Sequence, residues 1–288
     1  MATLCLFSIP KPMSGEAERL QHNAFASWRR LGNPLLHVIL LGNEPGIAGA
    51  AAHYDFDHIP QLATNAQGTP LVSDALARVR RHSNADWLMY TNADILFDTS
   101  LSTTLAALHT HVGNRFLGIG QRLESDLRED LRDWSDAEMT AWMAAQRRAG
   151  QWASVVCKDF FLFPRHLYQT LPDFAVGRGN WDNWMVYQAH RWGMPVIDMT
   201  AHLTAVHQPH GHNHSGGRRL AYVAGPEARE NQRLARGRHL LVGSHASHYL
   251  DAQGKLKPMG WRWLPRAAKD TPRFIQLLRS LIQSPTAS

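Results

Sequence analysis

Three stretches of this sequence carry residue types and spacings that could do chemistry. In the first, the apolar run Trp87-Leu88-Met89-Tyr90 ends in Thr91-Asn92-Ala93-Asp94. Such a run reads as a buried strand, and a carboxylate at its C-terminal mouth sits where open α/β sheets bind ligands. In the second, Trp181-Asp182-Asn183-Trp184 sets a carboxylate between two large aromatic residues. In the third, His207, His210, His212 and His214 crowd four imidazoles together, a density that favours a metal or phosphate contact by at least one of them.

The elements that must position these residues follow from the period of the apolar positions. Thr3 to Phe7 predicts a strand, Glu16 to Leu31 an amphipathic helix, and His37 to Leu41 a second strand. Pro45, tolerated at a first helical position, predicts a helix to about Tyr54. His58-Ile59 reads as a short strand, Pro70 to His82 as a helix, Trp87 to Tyr90 as a strand, Leu101 to Val112 as a helix and Phe116 to Ile119 as a strand. Strands alternating with helices predict a mainly parallel sheet covered on both faces.

Beyond Gln121 the character changes. Residues 122–136 are charged and poor in apolar groups, the mark of a surface excursion. Asp136 to Arg148 predicts a helix, Phe160 to Phe163 a strand closed by Pro164, and Trp181 to Trp192 a helix stopped by Gly193. Val196 to Asp198 and Leu203 to Val206 read as further strands. His207 to Arg219 reads as a His- and Gly-rich loop able to order over a ligand. There is no internal repeat.

Composition narrows the class. The 288 residues are 44% hydrophobic and 19% charged, and no apolar run approaches the roughly 18 residues that would span a membrane. Cys5 and Cys157 offer neither a disulfide framework nor a thiolate metal site, so a reducing cytoplasm is expected. The start, Met1 to Ser8, has no basic region followed by a long apolar stretch, which predicts no export signal. A net charge of +6 favours anionic partners such as phosphates, and no interleaved basic and aromatic pattern points to nucleic acid.

A parallel sheet gathers its loops at one edge, so Ser8 to Pro12, Gly42 to Glu44, Asn65 to Asp74 and Asn92 to Asp94 should share a site. Gly68-Thr69-Pro70 would open a helix whose free N–H groups can meet an anion, or it is simply an N-cap followed by Pro. Lys11 and Glu44 could hold phosphate and ribose or base groups. Neither GxGxxG nor GxxxxGK[ST] spacing occurs, which disfavours dinucleotide dehydrogenases and P-loop NTPases. A hard divalent cation on Asp94, Mg²⁺ or Mn²⁺, could instead bridge a diphosphate.

Several ordered blocks together resemble a known family. They are Phe7-Ser8-Ile9-Pro10-Lys11-Pro12, Gln21-x-Asn23-Ala24-x-x-Ser27-Trp28, Val38-Ile39-Leu40-Leu41-Gly42-Asn43-Glu44-x-Gly46, Gly68-Thr69-Pro70-Leu71, Asn92-Ala93-Asp94, Phe161-Leu162-Phe163-Pro164-Arg165 and Gly179-x-Trp181-Asp182-Asn183-Trp184. Over roughly residues 3–250 the chain resembles the nucleotide-diphospho-sugar transferases of the GT-A glycosyltransferase fold. The resemblance implies an α/β domain over 1–250 with a Rossmann-like, mainly parallel sheet flanked by helices. Residues 1–120 would be its nucleotide-sugar half, 121–250 its acceptor and metal half, and 251–288 a basic tail.

It further implies transfer of a sugar from a UDP- or GDP-linked donor to a hydroxyl of a glycan or other acceptor, with Mn²⁺ or Mg²⁺. Ser8, Pro10, Lys11, Glu44, Gly68, Thr69, Asn92 and Arg178 would contact the donor. Asn92-Ala93-Asp94 stands where the family has its metal-binding DxD, with Asp94 and His207 as metal ligands. Asn92 departs from the pattern and would face the ribose or a metal-bound water. His210, His212 and His214 would line the mobile loop.

Asp182 stands where inverting members have their catalytic carboxylate, since an acceptor hydroxyl must lose a proton as it attacks. Asp159 is the rival base. The plainer role for Asp182 is helix N-terminal stabilisation, worth about 0.3–1 kcal/mol. Trp181 and Trp184 would stack on an acceptor sugar. Arg122 and Lys158 are weaker candidates for phosphate or acceptor contacts.

Other classes remain open from sequence: a sugar nucleotidyltransferase, a metal phosphoesterase built on the histidines, or a nucleotide-sugar-binding pseudoenzyme suggested by Asn92. In the tail, Phe274, Leu277, Leu278 and Leu281 fall on one face of a candidate helix over 272–283. Such a helix would pack on the domain or make a peripheral contact with the inner face of a membrane.

Overall fold

The computed structural model describes residues 2–210, 225–237, 243–262 and 264–265. His212, His214 and the tail helix expected over 272–283 therefore lie outside the described residues. No helix among the described residues is long and apolar enough to cross a membrane.

The chain begins with strand β1 (Leu4–Ser8), helix α1 (Gly15–Arg30), strand β2 (Leu36–Leu41), helix α2 (Ile47–Tyr54) and strand β3 (Asp57–Ile59). Helix α3 (Val72–His82), strands β4 (Trp87–Thr91) and β5 (Ile95–Phe97), helix α4 (Ser100–His111), and strands β6 (Leu117–Ile119) and β7 (Leu123–Glu124) follow. Then come α5 (Asp136–Ala149), β8 (Phe160–Pro164), α6 (Trp181–Arg191), β9 (Val196–Asp198), β10 (Ala205–His207), α7 (Pro226–Ala235), β11 (His248–Leu250) and β12 (Leu256–Pro258).

Nine strands form one sheet in the order β12-β11-β9-β6-β8-β4-β1-β2-β3. All are parallel except β8 and β12, each of which pairs antiparallel with its neighbours. The α/β reading holds, with one antiparallel strand inserted in the middle of the sheet. The sheet also continues past residue 250, because β12 pairs with β11.

Strands β1, β4 and β8 are buried along their whole length, which is why they read as unbroken apolar runs rather than alternating ones. Alternate residues still face opposite layers. Trp87 and Met89 join the core with Leu6, Phe25 and Trp28, while Leu88 and Tyr90 join Phe7, Phe161 and Trp184 on the other face.

A second, three-stranded sheet in the order β5-β10-β7 sits at the C-terminal end of β4. All three of its strands are two or three residues long, too short to leave a period in the sequence. The expected surface excursion over 122–136 is corrected here. Leu123, Leu127 and Leu131 are buried against Leu96, Met139, Met143 and Val206 in a third apolar cluster. The helix that follows starts at a full capping box, Ser135 with Glu138.

Two helix starts differ from expectation. Helix α2 begins at Ile47 rather than Pro45, because Gly46 turns the chain at φ 87° and a Cβ there would meet Met13 Cβ at 2.6 Å. Helix α3 begins at Val72 rather than Pro70, because Pro70 and Leu71 are drawn into bridges with Thr64 and Ala175.

Candidate active site

Strand register builds the centre of the site. Asp94 immediately precedes Ile95, and Ile95 pairs with His207 across the antiparallel β5/β10 ladder. On the other side of β10, His207 pairs with Glu124 of β7. The small sheet thus sets an aspartate and a glutamate on either side of one histidine. His207 Nδ1 lies 2.8 Å from Glu124 Oε2, so a proton held there turns the Nε2 lone pair toward Asp94 and His210.

The three inward atoms are close to one another. His207 Nε2 is 3.2 Å from His210 Nε2 and 3.8 Å from Asp94 Oδ2, and His210 Nε2 is 3.4 Å from Asp94 Oδ2. Ligand atoms around one ion bonded at about 2.0–2.2 Å stand roughly 3.0–3.6 Å apart; two of the three spacings match a divalent cation and the third, His207 to Asp94, is slightly long. Asp94 Oδ1 is also buried without a hydrogen-bond partner. Such an atom costs about 1–3 kcal/mol when left unpaired, and a bound cation would relieve that cost.

The electrostatics agree with an ionised ligand. Burial pushes the Asp94 carboxyl up, but His210, His207 and Lys11 together outweigh it and hold the group at about 2. Glu124 is held at about 2 mainly by its hydrogen bond to His207, against burial and with help from Arg122.

A second chain of contacts runs behind the first. Thr91 pairs with Phe160 in the antiparallel β4/β8 ladder, so the next residues out, Asn92 and Asp159, face each other. The Asn92 backbone N–H donates to the Asp159 carbonyl and its Nδ2 donates to Asp159 Oδ1, both at 2.8 Å. Tyr90 Oη donates to Asn92 Oδ1 at 3.0 Å. Arg122 then joins Asp159 Oδ2 at 2.8 Å to Glu124 at 2.9 Å. Burial, with the charge of Asp94, pushes Asp159 up against the pull of Arg122.

Both Asp159 oxygens are therefore engaged, whereas Asp182 keeps one free. Asp182 Oδ1 is buried and unpartnered, and its Oδ2 lies 3.7 Å from Lys158 Nζ. Lys158, whose side chain is 1% exposed, also donates to Asn183 Oδ1 at 2.6 Å. Asp182 lies in the first turn of α6, next to Trp181, whose ring packs edge-on against Tyr90 at the end of β4 at 5.1 Å. Trp181 and Trp184 are themselves core residues, packed against Tyr90, Phe161 and Phe174. Neither presents an open face for a sugar.

The remaining sequence-derived residues divide into those at the rim of the site and those committed elsewhere. Lys11 is exposed, and Gln21 clamps its backbone by accepting from its N–H at 2.6 Å and donating to its carbonyl at 3.0 Å. Glu44 is exposed and Pro10 is buried. Ser8 is fully buried, and its Oγ donates to the Thr91 carbonyl at 2.7 Å, so it ties β1 to β4.

The Gly68 and Thr69 N–H groups already donate to Asn65 at 3.0 and 2.9 Å, which removes the helix-start anion site expected there. Asn65 and Arg178 are in turn held by Glu227 of α7 at 2.7 and 2.9 Å. Arg178 is thereby paired within the fold.

Sequence reasoning missed three supports. Glu124 lay in the segment read as a surface excursion. Gln208, fully buried, donates to the Asp94 and Leu20 carbonyls at 3.3 and 2.8 Å and accepts from Asn23 at 2.8 Å. Helix α1 completes the frame, because its Trp28 Nε1 donates to the Ile95 carbonyl at 2.9 Å. The polar residues buried on α1 were the available signal: Gln21, Asn23 and Ser27 sit on a core-facing helix, where each needs a partner.

No family model matches the sequence, and no curated protein matches it. Among solved structures, TarS 1–349 of S. aureus in complex with UDP-GlcNAc shares the fold, with a TM-score of 0.55 and 12% identity over 98% of this chain and 81% of that one. Glucosyl-3-phosphoglycerate synthase from Mycobacterium tuberculosis in complex with Mg²⁺ and UDP matches at TM-score 0.48 and 12% identity, over 83% and 80% of the two chains. Mannosyl-3-phosphoglycerate synthase from Rubrobacter xylanophilus matches at TM-score 0.48 and 14% identity, over 82% and 76%.

Proposed function

We propose that this chain, whose fold is that of the GT-A glycosyltransferases, transfers a sugar from a nucleoside-diphosphate donor to a hydroxyl acceptor. The observation that carries the reading is the cluster of Asp94, His207 and His210 at the C-terminal end of β4. That is the edge where an open α/β sheet binds its ligand. UDP-GlcNAc in the TarS complex supports a UDP-linked donor.

Asp94, His207 and His210 would hold a divalent cation, which when bound neutralises charge on a departing diphosphate. Two imidazoles in the donor set suit Mn²⁺ better than Mg²⁺, which prefers oxygen. Glu124 keeps the His207 tautomer and ring direction. Gln208 holds the Asp94 backbone, so the ligands meet the donor without a search through rotamers.

Asp182 is the proposed base. Its unpartnered Oδ1 is the atom that would accept the acceptor proton, while Oδ2 faces Lys158 Nζ at 3.7 Å. A base acting on the acceptor in a single displacement inverts the anomeric carbon. Asp159, with both oxygens engaged, is proposed instead to fix Asn92 and Arg122 beneath the donor.

Thermal melts of the full chain with UDP- and GDP-linked sugars, with and without Mn²⁺, test the reading in wild type and Asp94→Ala. The expected result is a donor-induced shift that needs Mn²⁺ and disappears in Asp94→Ala. A metal-dependent shift of equal size in both proteins would overturn it.

A further inference from the structure

His37 is the second residue of β2, Asp57 the first residue of β3 and His82 the last residue of α3. The parallel strands β2 and β3 begin here, so this rim is the opposite end of the sheet from Asp94. His37 Nε2 lies 2.6 Å and His82 Nε2 lies 2.8 Å from the same oxygen, Asp57 Oδ2. The two rings are nearly parallel, at 20° and 6.2 Å between centroids, and all three donor atoms fall within 4.8 Å of one another.

Three chain segments separated by 20 and 25 residues have thus converged two imidazoles on one carboxylate. Each side chain is between 38% and 49% exposed, leaving room on the solvent side for a further ligand. Ser83 Oγ stands 3.4 Å from His37 Nδ1, the ring nitrogen turned away from Asp57.

We infer that His37, Asp57 and His82 form a second metal site, for a borderline cation such as Zn²⁺, on the rim away from the active site. Imidazole and carboxylate donors with water in the fourth position are a common Zn²⁺ set. Mg²⁺ and Ca²⁺, which require mostly oxygen, are disfavoured. The site has a structural consequence. Among the described residues strand β3 ends the sheet and pairs with β2 alone, so a cation there clips this edge strand to its neighbour and to the last turn of α3.

The test titrates Zn²⁺ alone into the full chain by calorimetry, in Asp94→Asn/His207→Ala so that the inner cluster loses two of its three ligands, and in the same background with His82→Ala or Asp57→Asn added. The expected result is saturable binding in Asp94→Asn/His207→Ala accompanied by a rise in thermal midpoint. Either added substitution should weaken the binding by at least about 10-fold. Asp57→Asn keeps the side-chain shape, so a melt of the metal-free variant separates lost binding from lost folding. Binding and midpoint shift unchanged by both substitutions would overturn the site, whatever the outcome for sugar transfer.

Discussion

Two clusters of one aspartate and two histidines sit at opposite ends of the same sheet, and their contrast shows what separates the proposed reaction centre from the proposed clip. In the inner cluster, His207, Asp94 and His210 are 10%, 18% and 18% exposed. At the rim the three side chains are 38%, 49% and 43% exposed. The inner donor atoms stand 3.2–3.8 Å apart, held there by Glu124 and Gln208. Those at the rim close on one another at 2.6 and 2.8 Å as hydrogen bonds. Identical ligand types therefore give a partly dry site in one place and a more exposed one in the other, and in both a cation would replace hydrogen bonds between the side chains. The neighbours differ as well: Lys11 bears on Asp94 in the inner region, while at the rim Ser83 stands beside His37.

The largest test of that contrast is Asp182→Asn. If the inner region is the reaction centre and Asp182 its base, kcat for transfer should fall by about 10²- to 10⁴-fold, while Mn²⁺-dependent donor binding by thermal melt stays as in wild type. A fall in donor binding of the same size as the fall in kcat would assign Asp182 to the fold rather than to the proton transfer.

Next in size is Glu124→Gln, which keeps a hydrogen-bonding oxygen beside His207 but removes the charge. Mn²⁺ affinity at the inner cluster should drop about 10- to 100-fold, with kcat recovering at saturating Mn²⁺. Failure of high Mn²⁺ to restore turnover would mean that Glu124 acts on the donor and not through His207.

The rim supplies the converse. His82→Ala should leave kcat with saturating Mn²⁺ within about 2-fold of wild type and metal-free stability within about 0.5 kcal/mol, as for other exposed positions. A large loss of turnover would erase the distinction between the two clusters.

How much of this was legible in the sequence differs between the two ends. The Asp at the end of an apolar run announces itself, because a buried parallel strand is a continuous apolar run that opens at its mouth. His207 stands out only through the histidine density of 207–214 and the late metal-ligand position that the family resemblance implies. What binds them together was not legible: Glu124 meets His207 only through β7/β10 register, and Asp159 meets Asn92 only because β8 runs antiparallel to β4. Period-2 and period-3.6 patterns do not carry the register between segments distant in sequence. The rim trio left no mark, since a histidine at each of two element ends and an aspartate at a third look like ordinary surface residues. Gly68, Thr69 and Arg178 show the opposite case. The sequence offers them as donor contacts, and in the fold Asn65 accepts from the Gly68 and Thr69 N–H groups while Glu227 pairs with Arg178.

That last group gives the smallest effect, on a region that belongs to neither cluster. Glu227 is 12% exposed. Burial raises its carboxyl, but Asn65, Thr69 and Arg178 together lower it below the ordinary glutamate value. The stability it contributes is therefore complete above that ordinary value, about 4.3, and is lost as pH falls through the lower folded value. Glu227→Gln should cost about 1 kcal/mol near neutral pH, measured by urea melts. The deficit relative to wild type should shrink below about pH 4, where the wild-type carboxylate also becomes protonated. Because Glu227 touches the 65–69 loop but no metal ligand, Mn²⁺ affinity and rim Zn²⁺ affinity should both be unchanged. A shift in either would show that this loop communicates with that cluster, and the two ends of the sheet could then no longer be treated as independent.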